Sequence, residues 1–153
     1  LRLDTSISLI KRDSKLDFSR AKKLSINTAN DGYSFISPNT NVKDLSLVFY
    51  KNSLVIISVS YSGGIPWFSL EEFRQKIVDT LGISGTWETV PTKDGTKTVL
   101  ECRDFWVLLE KRGGEYSLFS KSKIVEARRR KDMIEASKEK AKIQQKKKET
   151  FKP

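Results

Sequence analysis

The segment Phe68-Ser69-Leu70-Glu71-Glu72-Phe73 constrains this chain most, because it encodes the start of a helix in the middle of β-rich sequence. Ser69 as N-cap can accept from the backbone N–H of Glu72, Glu72 can reach back to the N–H of Ser69, and Phe68 can staple onto Phe73. Leu70, Phe73, Ile77 and Leu81 then recur at helical spacing, Val78 widens the stripe, and Gly82 fits a left-handed C-cap. The spacing predicts one amphipathic helix with its apolar stripe laid on a sheet.

Strand signals lie on both sides of it. Leu45 to Tyr50 and Ser53 to Tyr61 flank Lys51-Asn52, whose Asn tolerates positive φ, and read as a hairpin. In the second run Val55, Ile57, Val59 and Tyr61 alternate with Ser58 and Ser60, the pattern of a half-buried strand. Ser62-Gly63-Gly64-Ile65-Pro66 breaks the pattern. Beyond Gly82, Thr86 to Val90, Thr98 to Arg103, Phe105 to Lys111 and Tyr116 to Phe119 read as a meander, with a turn at Lys93-Asp94-Gly95. Strands, one helix, then strands again predict an α+β fold: an antiparallel sheet with one helix packed on one face, plus a long basic C-terminal helix. Leu70, Phe73, Ile77, Leu81, Val55, Ile57, Val59, Leu100 and Cys102 are expected to share one core.

Three segments follow. Residues 1–44, rich in Ser, Asn, Asp and Lys, are expected to add one or two strands to the same domain; 45–122 form the α+β domain; 123–153 form a basic helical arm. Of the 29 Lys and Arg and 19 Asp and Glu, the arm holds 12 and 5, a net +7, against 17 and 14 in the remainder. Aromatics divide the opposite way, 14 of 15 preceding Lys123, so the core stays with the first 122 residues. From Ile124 to about Lys148 the arm lacks Gly and Pro and is dense in helix formers. Its apolar seam is sparse: Ile124, Ala127, Ile134 and Ala141, with Met133 and Ile143 beside it. The composition reads either as a solvated helix or as one ordered against a partner.

The inventory of reactive groups is thin. With no histidine, the usual general base, the commonest transition-metal ligand and every imidazole-based triad are absent. Cys102, alone in the chain, rules out an intrachain disulfide and fits a core thiol on an alternating strand; it is compatible with a reducing cytosol and with export. Glu71 and Glu72 are accounted for by the helix N-terminus. Glu101 and Asp104, sequence neighbours, are poor candidates for a facing acid–base pair. Gly82-Ile83-Ser84-Gly85 leaves a helix for a strand, unlike the phosphate-clamping loop of KH domains. Ser62-Gly63-Gly64 lacks the Gly-Lys-Ser/Thr of a Walker loop. The chain is therefore expected not to be an enzyme and to need no cofactor, metal or small-molecule substrate. No apolar run reaches the roughly 20 residues of a membrane helix, and the absence of an initial Met leaves a processed leader and a fragment equally open.

Three stretches together carry a resemblance: Leu47-Val48-Phe49-Tyr50-Lys51-Asn52-Ser53-Leu54-Val55-Ile56-Ile57, Trp67-Phe68-Ser69-Leu70-Glu71-Glu72-Phe73, and Val99-Leu100-Glu101-Cys102-Arg103-Asp104-Phe105. With the Arg-rich helix ending in Phe151-Lys152-Pro153, they resemble an uncharacterised group of small exported acidobacterial proteins, over roughly residues 45–153. The resemblance implies a fold and a periplasmic or envelope location. It implies no activity. Asp104 stands where the group's turn has Gly, so the turn must change type or hold Asp104 in the left-handed region.

The missing catalytic groups and the basic arm lead to the expectation of a non-enzymatic accessory subunit that docks on a larger assembly through the arm; that the assembly is an envelope or membrane complex is what the resemblance implies. The candidate partner-binding residues are Arg128, Arg129, Arg130, Lys131, Met133, Ile134, Ile143, Lys146, Lys147 and Lys148. A protein assembly is the expected partner. Nucleic acid, as in a ribonucleoprotein, is the alternative, and an anionic membrane surface would meet the same charges. Against nucleic acid, the arm has no interleaved aromatics to stack on bases.

Overall fold

The computed structural model describes residues 1–27, 30–37, 41–62, 67–93 and 95–150, with the side chains of 26, 27 and 147–150 excepted. The elements are α1 (Ile7–Asp13), β1 (Lys22–Asn27), β2 (Asn30–Ile36), β3 (Val42–Tyr50), β4 (Ser53–Tyr61), α2 (Leu70–Leu81), β5 (Trp87–Thr92), β6 (Gly95–Glu101), β7 (Phe105–Arg112), β8 (Glu115–Ser122) and α3 (Lys123–Thr150). All eight strands form one antiparallel sheet in the order β1-β2-β3-β4-β8-β7-β6-β5. The α+β fold, the antiparallel sheet and the long C-terminal helix are as expected. A helix followed by a four-stranded meander occurs twice, and the last strands of the two meanders, β4 and β8, pair at the centre. Residues 63–66, 94 and 151–153, which hold the expected Gly-Gly break, part of the Lys93-Asp94-Gly95 turn and the Phe-Lys-Pro end, lie outside the described residues.

Local chemistry explains the best-defined elements. Lys51 and Asn52 both have positive φ, 46° and 68°, as a two-residue hairpin turn matched to the strand twist requires. Ser69 caps α2 by accepting from the N–H of Glu72 at 3.1 Å, and Gly82 closes it in the left-handed region. Two details differ from the sequence reading. Glu72 accepts from the N–H of Phe68 at 3.0 Å, and Phe68 is 86% exposed, so it does not staple. Trp67 takes that place, its ring 4.6 Å from the ring of Phe73. At the β6–β7 turn the N–H of Cys102 donates to the carbonyl of Phe105 at 2.9 Å. Arg103 and Asp104 both keep negative φ, so the turn changes type and Asp104 is unstrained.

The core is split, not single. On one sheet face, α2 brings Phe73 and Ile77 onto Leu100, Val107, Leu109, Tyr116 and Leu118, with Leu70, Val59 and Cys102 packed alongside. On the same face, α1 brings Ile10 onto Phe35, Leu47, Phe49 and Leu54, with Ile57 packed alongside. Val55 belongs to neither. A bulge displaces the β3–β4 register between Val48 and Phe49, which pair with Ile56 and Leu54, so Val55 turns to the opposite face and joins Tyr50 and Val125. Leu81, in the last turn of α2, is 55% exposed.

Candidate functional site

The arm is rooted before it projects. At the end of β8, the carbonyl of Asp104 accepts from the N–H of Lys123 at 2.8 Å, and Ser122 accepts from the N–H of Val125 at 3.1 Å. Val125 is fully buried against Tyr50 and Val55. Lys123 lies 2.6 Å from Glu101 and 5.0 Å over the ring of Trp106.

Glu126 is the electrostatic centre of this root. It is buried and meets Lys121 at 3.2 Å, Arg129 at 3.1 Å and Arg130 at 3.5 Å. Burial pushes its carboxyl up, but the hydrogen bonds from Arg129 and Lys121 outweigh it and the net displacement is downward. Six residues on, Asp132 accepts from Tyr50 Oη and from Lys51 Nζ, each at 2.6 Å. The Lys51 and Tyr50 contacts hold its carboxyl below the usual range, and Asp132 in turn raises the Tyr50 phenol. The helix thus crosses the sheet end and is pinned to the tip of the β3–β4 hairpin.

The ten sequence-derived partner residues divide at this pin. Arg129 faces inward: its Nη2 holds Glu126, while its buried Nε has no hydrogen-bond partner among the described residues. Arg130 is exposed but leans on Glu126; Arg128 and Lys131 are exposed. Beyond Asp132 every described side chain is exposed, including Met133 at 61%, Ile134 at 56% and Ile143 at 49%. Lys146 is also exposed. Lys147 and Lys148 continue the helix, with side chains outside the described residues.

Along the projecting part, Ile134, Ser137, Ala141 and Gln144 recur at three- and four-residue spacing and form an uncharged stripe. Lys138 and Lys140 border it, while Glu135 and Glu139 lie on other faces.

Sequence reasoning missed the root. Glu126, Asp132, Tyr50 and Lys51 act together only because the fold brings residues about 80 apart into contact, which local patterning does not encode. It also missed a cleft of about 560 Å3 on the opposite sheet face, over the β4–β8 seam between α2 and the N-terminal segment. The Cys102 thiol is pushed up by burial, as suits a packing residue and not a nucleophile. Among the described residues no helix is long and apolar enough to cross a membrane, and no cluster of acids and Cys has the form of a metal site. No protein-family model, curated protein or solved structure matches the chain.

Proposed function

We propose that the protein is a non-enzymatic accessory subunit that docks on a larger protein assembly, at the cell envelope, through the projecting part of α3. The observation that carries this reading is the division of α3 at Asp132: a root bonded into the sheet, then a basic helix with Met133, Ile134 and Ile143 exposed. A helix this polar gains little stability from burial of its own and is held out by its root, which suits presentation to a partner. Residues 133–150 of α3, the part beyond the root, span about 27 Å at 1.5 Å each, enough reach to lie along a second subunit.

The uncharged stripe between Lys138 and Lys140 favours a protein over nucleic acid, because a phosphate backbone would leave Ile134 and Met133 without apolar contact. The complementary surface is an apolar groove with acidic edges. The test is affinity capture from extracts of the source cells, with and without nuclease, using the full chain and Ile134→Asp. The proposal expects bound proteins that survive nuclease and are lost with the variant. Disappearance on nuclease treatment would replace it with nucleic-acid binding; capture unaffected by Ile134→Asp would move the interface off the stripe.

A further inference from the structure

We infer that the cleft over the β4–β8 seam binds a single aliphatic chain of an amphiphile, with the head group at the mouth. The inference does not rest on partner docking by the projecting part of α3. The cleft exists because α1 and α2 cover the two halves of one sheet face and neither covers the seam, where Ile57 and Val59 stay half-buried. Its floor is hollowed at Ser120, a small side chain between Ile57 and Val107 in the register, where a branched residue would fill the space.

The far wall is held in place. Asp4 donates its N–H to the carbonyl of Leu54 at 2.9 Å and sits at φ 66°, a bend rare in non-glycine residues; Leu1 to Asp4 thereby line the cleft opposite Ile77 and Ile83.

Size and lining specify the ligand. The volume of about 560 Å3 lies within the roughly 300–1,000 Å3 of small-molecule sites. From Ile57 to Tyr61 the floor runs about 13 Å along the strand. Apart from Tyr61, Phe105, Thr80, Ser120 and Ser122 the uncharged lining is aliphatic, whereas Arg2, Asp4 and Asp104, all exposed, are the charged lining residues. Leu1, Leu81 and Ile124, 59%, 55% and 45% exposed, also line it, so apolar side chains of the lining reach solvent, as at the entrance to an apolar site.

The test titrates the full chain with the neutral fluorophore N-phenyl-1-naphthylamine and then displaces it with dodecanol, dodecanoate or phosphatidylcholine vesicles. Saturable one-to-one binding, displaced by the free amphiphiles, is expected; displacement by vesicles alone would assign the chain to a membrane lipid. Ser120→Leu should weaken probe binding at least tenfold at an unchanged unfolding midpoint. Should that variant misfold, Thr80→Trp, at an exposed lining position, should produce the same loss. Absence of saturable binding, failure of every amphiphile to displace, or parental affinity in a folded variant would overturn the inference.

Discussion

The phenol of Tyr50 donates a 2.6 Å hydrogen bond to Asp132, so the β3–β4 hairpin fixes where a helix 82 residues later stops being part of the folded body. Lys51, at the left-handed turn position beside it, grips the same carboxylate oxygen. Tyr50→Phe and Asp132→Asn should therefore loosen the α3 root while leaving the sheet intact. Hydrogen exchange reads this directly: protection of amides 125–132 falls in both variants and protection in β7 and β8 does not.

Acid should act on the same contact. The Asp132 carboxyl titrates lower in the folded protein than in the unfolded chain, chiefly through the hydrogen bond from Lys51 and then that from Tyr50. A depressed folded value means the stabilisation is complete above the ordinary carboxylate range and is lost as pH falls through the folded value. Protection factors for amides 125–132 should hold from neutrality to about pH 5 and decline below about pH 4. In Asp132→Asn this decline should be shallower, Glu126 alone contributing.

Glu126 offers a test of the buried charges. Glu126→Gln removes the charge and one of the two carboxylate oxygens that hold Lys121 and Arg129, and should cost about 1–3 kcal/mol in chemical denaturation, the scale of charged hydrogen bonds. The figure stays below that of a fully buried pair because Lys121 and Arg129 keep partial contact with water.

The capped helix gives three contrasting values. Phe73, fully buried among aromatic and aliphatic neighbours, should cost about 3–5 kcal/mol when cut to Ala. Ser69→Ala should cost about 1 kcal/mol through loss of the cap. Phe68→Ala should stay within about 0.5 kcal/mol, because the ring is in solvent and Trp67 makes the packing contact. A large effect of Phe68→Ala on the denaturation midpoint would restore the staple.

What the sequence disclosed was local. The Lys51-Asn52 turn, the Ser69 cap, the Gly82 stop and the alternation in β4 each depend on a few adjacent residues and are legible as such. Val55 was misassigned because one extra residue in β4 inverts the side-chain phase, and no local signal marks the bulge. Helix α1 escaped because seven residues with few apolar positions carry too little periodicity. Charge and composition disclosed the basic arm. Its root was hidden, since Asp132 looks like any other acid on a solvated helix until Tyr50 is placed beside it. The cleft was hidden too: its one sequence trace is Ser120, a small polar residue where β8 should continue an apolar face.

The central claim is that α3 beyond Asp132 serves a partner and not the fold. Ending the chain at Lys123 would not test it, since Val125 and Glu126 belong to the folded body. Ending it after Asp132 does: the full and shortened chains are compared by denaturation and by quantitative capture from nuclease-treated extracts of the source cells. The account predicts the same unfolding midpoint for both, with the proteins bound by the full chain lost from the shortened one. Retention of the same bound proteins by the chain that ends at Asp132 would contradict it.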